Sequence, residues 1–234
     1  MSFDVLQEKI TAKQNPTVAG LDARIEYVPE HIRKAAFAQH GVGLKGACEA
    51  IWQFNVGLID ALCDVVPAVK PQSAYYENLG WQGMEMLERT IRYAKEKGLF
   101  VIADIKRGDI AKTAEMYAMG HFTGDFESDF VTLAPYMGLD SISPYLPYAE
   151  KQGKGMFVLC RTSNGGAKDF EYEKLADGRH VYDLVGDKLN ALGKDYMGEH
   201  GYSSIGLVIG GTHIEEATEI RAKYQDSFFL IPGY

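Results

Sequence analysis

Strand-like apolar runs and helix-like patterns alternate from one end of this chain to the other, and nothing else restricts its fold as much. Runs at 17–22, 65–70, 101–105, 130–136, 156–163, 205–212 and 228–234 are rich in Val, Ile, Leu and Phe and are punctuated by Gly or Pro, which marks strands. Between them, apolar residues recur at helical spacing. Phe3, Leu6 and Ile10 open the chain, 29–40 reads as helix, and 44–64 aligns Ala47, Ile51, Phe54, Leu58 and Leu62. Residues 78–97 present Met84, Leu87, Ile91 and Ala94 on one face and stop at Gly98, and further helical patterns follow Asp109 and cover 140–151, 181–197 and 214–223. Strand–helix repeats of about 30 residues demand parallel strands joined by right-handed crossovers. Runs such as Met156-Phe-Val-Leu-Cys160 are apolar throughout rather than alternating, as in a sheet covered on both faces. No G-x-G-x-x-G follows the first strand, which disfavours a dinucleotide-binding sheet. The expected fold is an α/β (β/α)8 TIM barrel, a single domain over residues 1–234.

In such a barrel the chemistry sits at the C-terminal ends of the strands. Polar residues of this chain fall there. Asp22 ends the first strand, Lys70 the second, Asp104 and Lys106 the third, Thr132 and Tyr136 the fourth. Arg161-Thr-Ser-Asn164 ends the fifth and Thr212-His213 the sixth. Barrel closure gathers such ends round one mouth. The densest group is Asp104-Ile-Lys-Arg-Gly-Asp109, where a strand's period of two sets Asp104 and Lys106 on one face and Asp109 follows the Gly108 turn. A strand-end ion pair capping a helix would account for a lone D-x-K, but not for polar residues at one strand end after another.

Composition closes off other classes. Lys and Arg number 24 against 32 acidic residues, a net charge of −8, which argues against a general nucleic-acid binder. The amino terminus lacks the basic and long apolar regions of a secretory leader, and no apolar run approaches the ~18 residues of a membrane span. Cys48, Cys63 and Cys160 show no C-x-x-C spacing and read as reduced thiols of a cytoplasmic protein. The six histidines form neither H-x-H nor H-E-x-x-H, so no metal site is expected from them. Gly210-Gly211-Thr212-His213 reads equally as a phosphate cradle and as a strand-to-helix turn, and Arg161 equally as a substrate contact and as a rim ion pair.

Taken in order, Gly20-Leu-Asp-Ala-Arg24, Val69-Lys-Pro-Gln-Ser-Ala-Tyr-Tyr-Glu77, Asp104-Ile-Lys-Arg-Gly-Asp-Ile110, Thr132-Leu-Ala-Pro-Tyr-Met-Gly-Leu-Asp140, Arg161-Thr-Ser-Asn164 and Leu230-Ile-Pro-Gly233 resemble the orotidine 5'-phosphate decarboxylase family, in its longer bacterial and archaeal-type form. The resemblance runs from Asp22 to Gly233. It implies cofactor-independent conversion of orotidine 5'-monophosphate to uridine 5'-monophosphate in de novo pyrimidine biosynthesis. Lys70, Asp104, Lys106 and Asp109 would be the family's alternating catalytic network, with Lys106 donating a proton to C6 of the pyrimidine and Asp104 against the substrate carboxylate. Lys70 would hold the network and a ribose hydroxyl, and Asp22 would make another ribose contact. Asp109 and Thr113 would reach the neighbouring site of a homodimer. Ser163 would bind the pyrimidine amide edge, beside Thr162 and Asn164 in a lid loop; Gly165-Gly166 after it supports a mobile lid, with a simple turn as the default reading. No metal and no cofactor are implied, and neither nucleic acid nor membrane is an expected partner.

The family continues past Leu-Ile-Pro-Gly233 into a phosphate-gripping loop and an eighth βα unit. The expectation is therefore that the native gene encodes a further stretch on the order of 30 residues, the size of one βα unit. Without it a strand edge would stay exposed and activity would suffer. Two alternatives stand beside this reading. A magnesium-dependent sugar-phosphate decarboxylase or synthase of the same superfamily shares D-x-K-x-x-D but needs an acidic ligand where Lys70 stands. The other is a non-catalytic nucleotide-binding barrel.

Overall fold

The structure, a computed structural model, describes residues 2–232. Its strands are β1 Val18–Gly20, β2 Ala68–Lys70, β3 Phe100–Arg107, β4 Phe130–Leu133, β5 Gly155–Arg161, β6 Ile205–Ile209 and β7 Phe229–Leu230, hydrogen-bonded in chain order. The helices are α1 Ser2–Lys13, α2 Glu30–His40, α3 Leu44–Leu62, α4 Ser73–Glu77, α5 Gly80–Glu96, α6 Ala111–Phe122, α7 Leu146–Gln152, α8 Val181–Gly193 and α9 Ile214–Lys223. The expected alternation of strand and helix is present. Among the described residues no helix is long and apolar enough to cross a membrane. Two compact units share the chain: one comprises Glu8–Ile105 and Met119–Asp129, the other the described residues of Met1–Gln7, Lys106–Ala118 and Phe130–Tyr234.

In the first unit β1 pairs with β2, Val18 against Ala68 and Gly20 against Lys70, and β2 pairs with β3, Ala68 against Phe100, all in parallel. Its core joins Val69 and Val101 of the strands to Ile51, Ile59, Met86, Leu87, Ile91 and Ala94 of α3 and α5. Each such aliphatic side chain contributes roughly 1.5–3 kcal/mol on burial. The innermost line of α3 is Cys48, Ile51, Asn55 and Ile59, whereas Ala47, Phe54, Leu58 and Leu62 are only half buried. A polar residue in the buried line hid it, and the periodicity selected the neighbouring apolar line. The helix read at 78–97 starts at Gly80, in a left-handed conformation (φ +66°), and the five-residue α4 ahead of it has too few residues for a period. The two helices meet at Gly83, where a Cβ would come within 2.0 Å of the Tyr76 carbonyl oxygen.

In the second unit β4, β5, β6 and β7 pair in parallel, with Phe130 against Gly155, Met156 against Ile205 and Leu207 against Phe229. Phe3 of α1 packs on Phe130, Phe157 and Phe228 at centroid distances of 4.8, 5.1 and 4.9 Å. The helix read at 140–151 begins only at Leu146, after two 3-10 turns, because Pro144 and Pro147 confine helix formation to starts at their own positions. The strand read at 228–234 is β7 as far as Leu230, and positions 233 and 234, including the Gly233 of the last motif, lie outside the described residues.

Candidate active site

Lys70, Gln72 and Asp22 converge with Asp104 in the first unit. Asp104 is buried within β3, and its Oδ2 accepts from Lys70 Nζ at 2.9 Å and from Gln72 Nε2 at 2.9 Å. Lys70 Nζ lies 3.7 Å from Asp22 Oδ1, an oxygen shielded from solvent and without a hydrogen-bond partner. The backbone explains the convergence. Lys70 ends β2, Pro71 turns its carbonyl to the Asp104 amide at 3.0 Å, and Gln72 bridges Asp104 in parallel register. Gln72 Oε1 also accepts from the Ala74 amide at 3.5 Å, capping α4. Two donors on one oxygen fix the carboxylate in direction, and removing one partner of such a buried pair costs about 3–5 kcal/mol. Gln72 was missed in the sequence, although its spacing of two from Lys70 was the available signal.

Lys106 and Asp109 belong to the second unit. Lys106 is exposed, and its backbone is left-handed (φ +44°), a conformation that costs a non-glycine residue about 1–3 kcal/mol. The period of two that set Asp104 and Lys106 on one face therefore does not carry through position 106, since alternation belongs to extended backbone. Three contacts from the end of β4 fix this turn. The Lys106 amide donates to Thr132 Oγ1 at 2.9 Å, the Ala134 amide donates to the Arg107 carbonyl at 2.7 Å, and a Cβ on Gly108 would come within 3.0 Å of the Ala134 Cβ. Asp109 is half buried and accepts the Ile110 amide at 2.8 Å, and Thr113 is exposed in the first turn of α6, which starts at the left-handed Ala111. Tyr136, the other polar residue read at the fourth strand end, is 86% exposed and edge-on to Phe170.

The segment after β5 is held at its base. Arg161 is fully buried and is a structural ion-pair residue. Its guanidinium pairs with Glu216 at 2.7 Å, donates to Tyr172 Oη at 2.5 Å and reaches the Gly210 carbonyl at 3.3 Å. Glu171 takes the Thr162 amide at 2.7 Å and the Thr162 hydroxyl at 2.6 Å. Asn164 Oδ1 lies 2.6 Å from that same hydroxyl. One hydroxyl proton serves one acceptor, so the Thr162 hydroxyl donates to Glu171 or to Asn164 Oδ1, one at a time. Ser163 and Asn164 are exposed, and Gly210 packs so closely that a Cβ there would come within 2.8 Å of Ser163. Gly210 thus serves close packing at this turn. Glu171, Tyr172 and Glu216 were not legible, because they stand 9, 11 and 55 positions from Thr162 or Arg161, spacings that no helix or strand period encodes.

Among the described residues no group of three His, Cys, Asp or Glu side chains could hold a metal ion. Burial pushes the Cys160 thiol up to about 12 and raises that of Cys48, so neither is a thiolate nucleophile at neutral pH.

Parallel strands in chain order, with charged and hydroxyl side chains at their C-terminal ends, define a (β/α)8-class enzyme fold. The chain belongs to the orotidine 5'-phosphate decarboxylase / HUMPS family, whose sequence pattern matches residues 51–234. It is 54% identical over 234 residues to the orotidine 5'-phosphate decarboxylase of Clostridium perfringens strain SM101, covering 100% of this chain and 78% of that protein. The namesake from Clostridium acetobutylicum is 54% identical over 222 residues, 95% of this chain and 75% of that one. Among solved structures, Leishmania donovani OMP decarboxylase is similar with a TM-score of 0.79 and 31% identity, over 100% of this chain and 80% of that one.

Proposed function

We propose that this chain decarboxylates orotidine 5'-monophosphate to uridine 5'-monophosphate in pyrimidine biosynthesis, as one catalytic domain and without a cofactor. The observation that carries this reading is the buried Asp104 carboxylate gripped by Lys70 and Gln72, two residues before Lys106. Membership of the family and the names of its curated relatives support it.

Losing carbon dioxide from a vinyl carbon leaves an electron pair that a protein must stabilise electrostatically. In the proposed reaction the C6–carboxylate bond breaks, its electron pair stays on C6, and an Nζ proton of Lys106 passes to C6. The lysine then regains its proton from solvent. Asp104, fixed by Lys70 and Gln72, would face the substrate carboxylate, so that its repulsion is relieved as carbon dioxide leaves. Lys70 and Asp22 would take ribose hydroxyls. The orphaned Asp22 oxygen is an acceptor waiting for such a donor. Ser163 would read the pyrimidine amide edge, with Thr162 and Asn164 closing over it. Asp109 and Thr113 would serve the neighbouring site of a homodimer. Exposed Ile110 and Met116 on the same stretch fit a surface that a second copy covers. The free thiols of Cys48, Cys63 and Cys160 suit a cytoplasmic setting.

The test follows loss of ultraviolet absorbance of orotidine 5'-monophosphate in excess EDTA. Turnover that persists in EDTA and disappears in Lys106→Ala is the expected result. Turnover that EDTA abolishes would point to the magnesium-dependent relatives, and uridine 5'-monophosphate binding without any turnover to a binding barrel.

A further inference from the structure

Lys106 has an unusual backbone for a residue with a long side chain. Its φ of +44° takes it out of the extended region in which the rest of β3 lies, and such a residue persists only where its surroundings over-determine it. The Lys106 amide is held by a side chain of β4. It donates at 2.9 Å to the side-chain oxygen of Thr132, which is 1% exposed within β4 between the fully buried Val131 and Leu133. A hydroxyl is the one group of this size that can accept there. Valine fills the same volume but leaves the amide without that acceptor, and the left-handed turn loses the contact nearest to it.

We propose that Thr132 is a positioning residue for the reaction: its hydroxyl holds Lys106 in the left-handed conformation that aims the ammonium at the reacting carbon. This rests on the reading of Lys106 as the proton donor. Without the acceptor, position 106 relaxes towards the extended backbone that a lysine prefers, and rotation about φ at a Cα displaces the far end of its side chain by ångströms. The stored strain of the turn is then released without changing any group that binds ribose or base.

Two variants and two readouts separate this from a merely structural role. Thr132→Val is expected to lower kcat by about tenfold to a hundredfold, the cost of roughly an ångström's misplacement at a reacting centre, with KM for orotidine 5'-monophosphate unchanged. Thr132→Ser keeps the oxygen and is expected to restore kcat, although it loses a buried methyl group. Hydrogen exchange reads the contact without turnover: the Lys106 amide should be protected in the parent and in Thr132→Ser and exchange freely in Thr132→Val. A KM that rises as kcat falls in Thr132→Val, a Thr132→Ser that does not restore kcat, or a Lys106 amide equally protected in all three proteins, overturns the proposal. If Lys106→Ala itself keeps turnover, the assignment of the proton donor fails first and takes this one with it.

Discussion

Tyr76 shows how much a single buried hydroxyl can hold. It donates to the Leu21 carbonyl at 3.1 Å and accepts from Asn55 Nδ2 at 3.1 Å, while Asn55 also donates to Thr90 Oγ1 at 3.3 Å. The Leu21 amide in turn donates to the Lys70 carbonyl at 3.0 Å, so both backbone groups of the residue before Asp22 are satisfied. Burial drives the Tyr76 phenol far above its ordinary range, outweighing the hydrogen bonds from Asn55 and Thr90, so it remains a donor at any pH the fold survives. Tyr76→Phe leaves a buried carbonyl and a buried amide each short of a partner, a loss of about 1–3 kcal/mol. Urea denaturation measures it, and an unchanged midpoint would mean that Leu21 finds another donor. The residues of this network are also those that sequence reading passes over. Tyr76 and Asn55 are bonded to each other. Their pairing spans 21 positions, which no local pattern encodes. Lys70 and Asp22, by contrast, were legible because each stands at or just past a strand end, where a barrel places chemistry, and Asp104 because it is an acid in an otherwise apolar strand.

At the level of elements, β4, β5 and β6 divide their labour by end. Their C-terminal ends carry Thr132, Arg161 and Gly210, and their N-terminal ends pack on the aromatic cluster around Phe3. Gly155 opens β5 in that cluster, and an added Cβ would come within 2.5 Å of the Phe130 ring and 3.0 Å of the Phe3 ring. Neither ring can swing aside, since each is fully buried against the other and against Phe157. Gly155→Ala is therefore expected to cost about 1–3 kcal/mol as overpacking, seen as a lower Tm, with KM unchanged because the affected end is away from the strand termini that carry the site. A Tm equal to the parent's would show that the cluster yields. Long periodic elements such as α5 and fully apolar strands such as β5 were readable to within a few residues. The shorter ones were not: α4 and the 3-10 turns before α7 are set by capping and by proline, and Lys106 departs from the strand rule because a turn held by β4 overrides it.

For the whole molecule, acid is the informative stress. Burial would raise the carboxyl of Glu216, but hydrogen bonds from Tyr172 and Arg161 outweigh it and hold the group below the usual range. Asp187 is depressed in the same way, with burial opposed by Lys223, Tyr224 and Arg179. A carboxyl whose pKa is lower folded than unfolded adds stability at neutral pH, and that stability is lost as pH falls through the unfolded value towards the folded one. For Glu216 the loss begins near its ordinary value of 4.5 and for Asp187 near 3.8. Glu216 neutralises Arg161, and Tyr172, which donates to Glu216 at 2.6 Å, follows directly on Glu171, the residue that anchors Thr162. Protonating Glu216 therefore loosens the base of the proposed lid as well as the fold. Glu216→Gln should lower Tm at pH 7, by less than the roughly 3–5 kcal/mol of a fully orphaned buried charge, since Arg161 keeps Tyr172 and the Gly210 carbonyl. It should also flatten the fall of Tm below pH 4.5, because the variant has no proton left to take up at this site. Melting curves of parent and variant between pH 3 and 7 decide it: two parallel profiles would place the acid sensitivity elsewhere, in Asp187 and its partners.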